Sequence, residues 1–329
     1  MRKKIVLCAL AVLTSLSAQT RERQCFDKSW RFVLADSVQM SQTDYNDAWW
    51  RCLDVPHDWA IEGDFYVGHP SGAGGGALPG GVGWYRKHFS LGDCETPMKE
   101  TRFFLEFDGV YMNSTVYING QEAGHRPYGY SSFELDITPY VREGENVVAV
   151  RVDNSDQPNS RWYSGCGIYR HVWLTKTDPV HVKHWGTKVV ATVAKGKGKL
   201  GIEVSLEGNG TIENTLIDPN GKIVGKSKGA RSSISVSKPM LWSCETPYVY
   251  KVRTEVKVGS RVVDTYETTT GFRDFKFDPK TGLWLNGKNF KLNGVCEHHD
   301  FGCLGAALNE DALHRKLTKL KAMGVNSIS

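Results

Sequence analysis

The amino-acid sequence predicts a mainly β chain: a jelly-roll β-sandwich, then an immunoglobulin-like β-sandwich, then the first βα unit of an incomplete (β/α)8 barrel. Three observations predict it. Short runs of alternating apolar residues recur at regular spacing as far as Phe272, their composition changes near Thr177, and the strongest helical pattern follows Asn309. On this reading residues 1–18 are a leader, 19–176 the jelly roll, 177–273 the second sandwich and 274–329 the start of the barrel.

The leader is read from MRKK, a positive n-region, the apolar run IVLCALAVL, too short to span a bilayer, and the small-residue region SLSAQ. Cleavage is expected near Ser17 or Ala18, and the protein is expected in the periplasm or outside the cell. Cys8 lies within the apolar run behind Ile-Val-Leu, which is not a lipoprotein signature, and no later segment is apolar enough to cross a membrane.

In the first sandwich the strand-like runs are RFVLAD, GWYRKHFSL, RFFLEFDGV, STVYING, NVVAVRVDN and IYRHVWLTKT. Phe103, Leu105 and Phe107 fall on one face, as do Val148, Val150 and Val152, and Asn119-Gly120 signals a hairpin. Such spacing fits a jelly roll. In the second region KVVATVAK, LGIEVSLE, NTLIDPNGKIVG, SSISVS, YVYKVRTEVKV and RVVDTYETTTGF give roughly seven strands in about 100 residues, as an immunoglobulin-like sandwich requires. Asp218-Pro-Asn-Gly221 is a turn, because Pro219 fixes φ and Gly221 accepts positive φ. This region offers no chemistry and reads as a scaffold.

The last segment opens with LWLNGKNFKLNGV, a hairpin on Asn286-Gly287 and then a strand. NEDALHRKLTKLKAMG is a helix: Asn309 caps it, Glu310 and Asp311 suit its positive end, Leu313, Leu317, Leu320 and Met323 form a stripe, and Gly324 stops it. VNSI begins another strand, so strand, helix and strand make the opening of a parallel barrel.

Charge and cysteine content narrow the function. Without Arg2, Lys3 and Lys4 the formal charge of +5 falls by three, to +2, and apart from KGKGK at 195–199, read as a hairpin turn, basic residues are interleaved with acids. Nucleic acid is therefore not an expected partner. The cysteines left after the leader, Cys25, Cys52, Cys94, Cys166, Cys244, Cys296 and Cys303, match no zinc ribbon or disulfide framework and read mostly as buried thiols. The glycine-rich run 69–81 lacks Gly-Lys-Ser/Thr and is read as a long mobile loop at a domain or subunit contact, not a phosphate cradle.

Chemistry concentrates in KLNGVCEHHDFGCLGA at 291–306. Glu297 and Asp300 are ill placed for a facing carboxylate pair at a strand end. A zinc set of Cys296, His298, His299 and Cys303 has no common ligand spacing. No metal and no cofactor are expected. Its position is the better guide, since barrel active sites are built from loops at the carboxyl ends of strands.

Several stretches resemble glycoside hydrolase family 2, the family of β-galactosidases, β-glucuronidases and β-mannosidases. They are VPHDW at 55–59, GALPGGVGWYRK at 76–87, FDGVYMNSTVYING at 107–120, RPYGYSSFELDITPY at 126–140, RWYSGCGIYRHVWL at 161–174, GFRDFKFD at 271–278 and GVCEHHD at 294–300. Their detail is similar to secreted β-galactosidase-like members. The resemblance implies a sugar-binding jelly roll, a terminal β-linked sugar on an oligosaccharide or glycan as substrate, and homo-oligomers in the full-length family. It leaves galactose, glucuronic acid and mannose open.

The resemblance also implies site residues. His298 corresponds to a histidine that hydrogen-bonds the sugar, a task for which imidazole suits as donor or acceptor, with His299 and Asp300 beside it. A jelly-roll loop reaching the sugar implies Arg161 bonding hydroxyls and Trp162, or Tyr163, stacking on a pyranose face. Two plainer readings stay open: that the histidines only satisfy loop carbonyls, and that these aromatics pack the sandwich while Gly165 and Gly167 mark a bulge. The stretch has no Asp or Glu between Arg161 and Arg170, so the acid that helps hold an ion in some β-galactosidases is missing. The family's two catalytic glutamates belong to later barrel strands, so this chain by itself is expected to be inactive. The alternative is a non-catalytic carbohydrate-binding or interaction module, although a stand-alone binder would be expected to end near Phe272.

Overall fold

The computed structural model describes residues 21–91 and 98–329; the expected leader and Cys94 lie outside these residues. The chain is mainly β. In the first sandwich a four-stranded antiparallel sheet, in the order Glu22–Cys25, Val172–Thr177, Arg102–Phe107, Phe133–Asp136, faces a six-stranded one. The latter runs Arg51–Leu53, Trp30–Leu34, Gly81–Leu91, Gly144–Asn154, Ser114–Ile118, Gln121–Arg126. The two alternating triplets meet: Phe103, Leu105 and Phe107 from one sheet and Val148, Val150 and Val152 from the other share one core and are almost wholly buried. Each such side chain contributes about 1.5–3 kcal/mol by leaving water.

The outer face of the six-stranded sheet is also covered. Trp84, Ala149, Met40 and Trp50 form a second, smaller core there. Arg86, fully buried among them, donates to Asp47 at 2.8 Å and to the carbonyls of Met40 and Gln42. Its charge is thus compensated where an unpaired one would be prohibitively costly.

The second sandwich has the seven expected strands. His181–Ala194, Lys197–Glu207 and Arg231–Ser237 form one sheet; Ile223–Lys228, Thr211–Ile217, Tyr250–Val258 and Arg261–Thr270 form the other. Leu200, Ile202, Val252, Val256 and Phe272 fill the space between. Only Lys195-Gly196 of the basic run makes the turn, both with positive φ, while Lys197 and Lys199 lie in the following strand.

Two polar links tie the sandwiches together, and a third, Arg261 to Asp178, fixes the start of the second sandwich. Arg21, from the chain entering the first sandwich, donates twice to Asp264 at 3.2 Å and once to the Val182 carbonyl. His184 lies 3.2 Å from Glu134, and Arg261 bonds Asp178 at 3.0 Å.

After Phe272 a three-stranded sheet (Phe275–Asp278, Gly282–Leu285, Lys288–Phe290) turns at Asn286-Gly287 as expected. Gly294–Val295 then pairs in parallel with Ser327–Ile328 across the helix Glu310–Ala322. The Asn309 side chain accepts from the Ala312 amide at 2.9 Å and caps that helix. The helix's apolar stripe is only partly covered: Leu313 and Leu320 are half-buried, while Leu317 and Met323 are 41% and 76% exposed.

Candidate functional site

Two loops far apart in sequence meet at one edge of the first sandwich. One, residues 161–169, precedes the strand Val172–Thr177; the other, residues 296–308, follows the short strand Gly294–Val295. The first is held by backbone bonds on both sides. His57 and Trp59 donate to the carbonyls of Ile168 and Cys166, and Tyr111 and Gly167 exchange two bonds at 2.8–2.9 Å. A bend at Gly167 is required, since φ is +116° and a Cβ would lie 2.2 Å from the Tyr85 hydroxyl.

The second loop docks on the first. The Leu308 amide donates to the Tyr169 carbonyl at 2.9 Å, and the Ala306 amide to the Asp58 carboxylate at 2.8 Å. His299 Nε2 donates to the Ser164 carbonyl at 3.2 Å, and its ring lies among Tyr130 and Tyr169 at 5.4 and 5.7 Å. Burial, helped by the nearby Arg170 charge, lowers the His299 pKa below the usual histidine value; the Ser164 bond and Asp300 oppose this only in part. His299 is therefore a neutral imidazole at pH 7, with Nε2 as the donor.

His298 is exposed, with its ring 5.7 Å from that of Trp162 at 65°. Trp162 remains 41% exposed while its Nε1 donates to the Tyr130 hydroxyl at 3.0 Å. An indole and an imidazole thus lie side by side at the surface, the indole held by a bond at its edge. Such a pair can cover the apolar C–H face of a pyranose and bond its hydroxyls.

The other expected residues sit around this pair. Arg161 is exposed, and its guanidinium has no ion-pair partner among the described residues. Asp300 is half-buried, and its carbonyl accepts from Lys316 at 2.7 Å. Lys316 also pairs with the Glu297 carboxylate. Cys296 and Cys303 are exposed free thiols, whereas Cys166 is buried beside Asn154, and burial raises its pKa well above the usual thiol range. The expectation of mostly buried thiols does not hold: of the described cysteines only Cys166 is buried, because the others sit on edge strands and loop surfaces.

The glycine-rich run is pinned at two points. Ser71 and Leu78 are buried, and a Cβ added at Gly74 or Gly76 would lie 3.4 Å from the Arg161 carbonyl or the Tyr163 ring. A cavity of about 20 Å³ lined by Ser71, Asn154, Gln157 and Ser164 separates the two stretches, room for one water.

Sequence reasoning missed Asp58, Tyr130, Ser164 and Tyr169. Their signal lay in VPHDW, RPYGYSS and RWYSGCGIYR, which carried the resemblance without revealing that they converge.

Comparisons with known proteins identify the family. Residues 24–178 match the model described as the sugar binding domain of glycosyl hydrolases family 2, and residues 178–273 match a second model of glycosyl hydrolases family 2. A β-galactosidase of Bacteroides ovatus is 48% identical over 97% of this chain and 39% of its own length; a putative β-glucuronidase of Formosa agariphila is 42% identical over 100% and 33%. Among solved structures, a β-glycosidase from Bacteroides vulgatus superposes with a TM-score of 0.90 at 38% identity, covering 93% of this chain and 41% of that one. The chain thus spans only about a third to two fifths of these relatives, and it belongs to glycoside hydrolase family 2.

Proposed function

We propose that the loops 161–163 and 298–300 form one wall of the sugar pocket of a secreted, retaining β-glycosidase of β-galactosidase type. Trp162 stacks on the sugar ring, His298 bonds its hydroxyls, and Arg161, His299 and Asp300 complete the rim. The observation that carries this reading is the juxtaposition of the exposed Trp162 and His298 rings, delivered by two separate parts of the chain. Relatives named as β-galactosidases and β-glucuronidases support a terminal β-linked sugar as substrate, on an oligosaccharide or glycan.

Retaining hydrolysis needs two carboxyls about 5–5.5 Å apart. The Glu297 carboxylate is paired with Lys316, and this 329-residue chain is expected to bind a β-galactoside without hydrolysing it. Calorimetric titration with methyl β-galactoside, alongside a chromogenic galactoside assay, tests this. Binding that disappears in Trp162→Ala, with no turnover, is the expected result; turnover abolished by His298→Ala would overturn the assignment of roles. Export through residues 1–18 is part of the proposal and is checked by N-terminal sequencing of the mature protein.

A further inference from the structure

The Asp58 carboxylate is buried and carries four donors. Oδ1 accepts from Ala60 N at 3.0 Å and Cys166 N at 2.9 Å; Oδ2 accepts from Ala306 N at 2.8 Å and from the Tyr163 hydroxyl. These donors belong to its own turn, to the loop bearing Trp162, and to the loop bearing His298, the last 248 residues away in sequence. Steric fit repeats the message. A Cβ on Gly305, whose φ is +59°, would lie 2.3 Å from Asp58 Oδ2 and from Ile61, and one on Gly165 would lie 2.5 Å from the Ala306 Cβ. The histidine loop therefore meets the sandwich so closely that the carboxylate's position decides where that loop rests.

We propose that Asp58 is a positioning residue for the sugar site: by holding Ala306 and Tyr163 on one oxygen, it sets the histidine loop at a fixed separation from Trp162. The inference rests on the sugar-wall reading of these two loops. Asp58 touches no sugar itself. It acts by removing the entropy that a swinging loop would otherwise lose on binding.

Amide exchange in the 329-residue chain tests the positioning directly. In Asp58→Asn the Oδ1 bonds can persist, but an NH2 group faces the Ala306 amide, so that bond is lost. Residues 299–308 are expected to exchange at least about tenfold faster, while the strands Gly81–Leu91 and Gly144–Asn154 keep their protection. Tyr163→Phe removes one donor and leaves the carboxylate, and is expected to give a smaller rise confined to the same loop. Unchanged exchange over 299–308 in Asp58→Asn overturns the proposal. Should that variant not fold, Tyr163→Phe decides: a local rise upholds it, and none overturns it.

Affinity for methyl β-galactoside separates the two readings. A fall in Asp58→Asn with Trp162 and His298 intact upholds positioning, and an unchanged affinity despite loosened exchange overturns it. Absence of binding in the wild type, with the exchange result as expected, refutes the sugar assignment while leaving the docking by Asp58 in place.

Discussion

Replacing Arg21 by Met should unseat the second sandwich. Asp264 has no exposed side-chain surface, Arg21 is 12% exposed, and the two share a pair of bonds at 3.2 Å. Without the guanidinium the carboxylate keeps only the Val182 amide, at 2.7 Å. Removing one partner of a buried ion pair costs about 3–5 kcal/mol, since the other charge stays desolvated. In a domain of about 100 residues each kcal/mol moves Tm by about 4–8 °C, so a loss on the order of 15 °C is expected for the transition of the second sandwich. Scanning calorimetry reads it. The double variant Arg21→Met/Asp264→Asn should recover much of the loss, because a neutral amide can still accept from Val182 without carrying a buried charge. A single-variant shift below about 3 °C, or a double variant no better than the single, would refute the view that this pair holds the junction.

Four further outcomes are expected. Leu105→Ala, at a fully buried position between the sheets, should lower stability by about 2–5 kcal/mol in chemical denaturation, with the slope unchanged. Burial, partly offset by Glu62, lowers the pKa of His57, whose ring bonds Tyr85 at 2.7 Å. The unfolded chain therefore takes up a proton first, and stability should fall as pH drops below about 6.5; His57→Gln should flatten that slope in thermal melts between pH 7.5 and 5. His184 has the opposite sign: burial opposes its proton, but the bond and charge of Glu134 outweigh it and raise the pKa. Its contribution should be full below about pH 6.5 and fade as pH rises through the folded value, a trend that His184→Gln should remove. Asn309→Ala should cost the helix about 1 kcal/mol, seen as faster amide exchange in its first turn.

Much of the fold was legible because local rules and burial coincide. The triplets at 103–107 and 148–152 needed only a period of two, and Asn119-Gly120 and Asn286-Gly287 turn where positive φ is required. The cap at Asn309 is likewise a local event. What could not be read is long-range convergence. Nothing in VPHDW reveals that its aspartate bonds an amide 248 residues away, or that Tyr130 bridges Trp162 and Ser164 through one hydroxyl. The glycine run 69–81 illustrates the same limit. Its composition gave no sign that Ser71 and Leu78 would be buried and joined to each other by a hydrogen bond. His299 divides between two readings: one ring nitrogen does satisfy a loop carbonyl, and that bond orients the loop that presents His298.

In the proposed site Trp162 and His298 together face a sugar. The most direct measurement is a nuclear magnetic resonance titration of the 329-residue chain with methyl β-galactoside, following the Trp162 indole N–H and the His298 imidazole signals. A saturable shift of both is expected, absent from the exposed His125 on the strand Gln121–Arg126 and lost in Trp162→Ala. No saturable shift up to about 100 mM, where even binding weaker than about −4 kcal/mol would register, or equal shifts at His125, would contradict it.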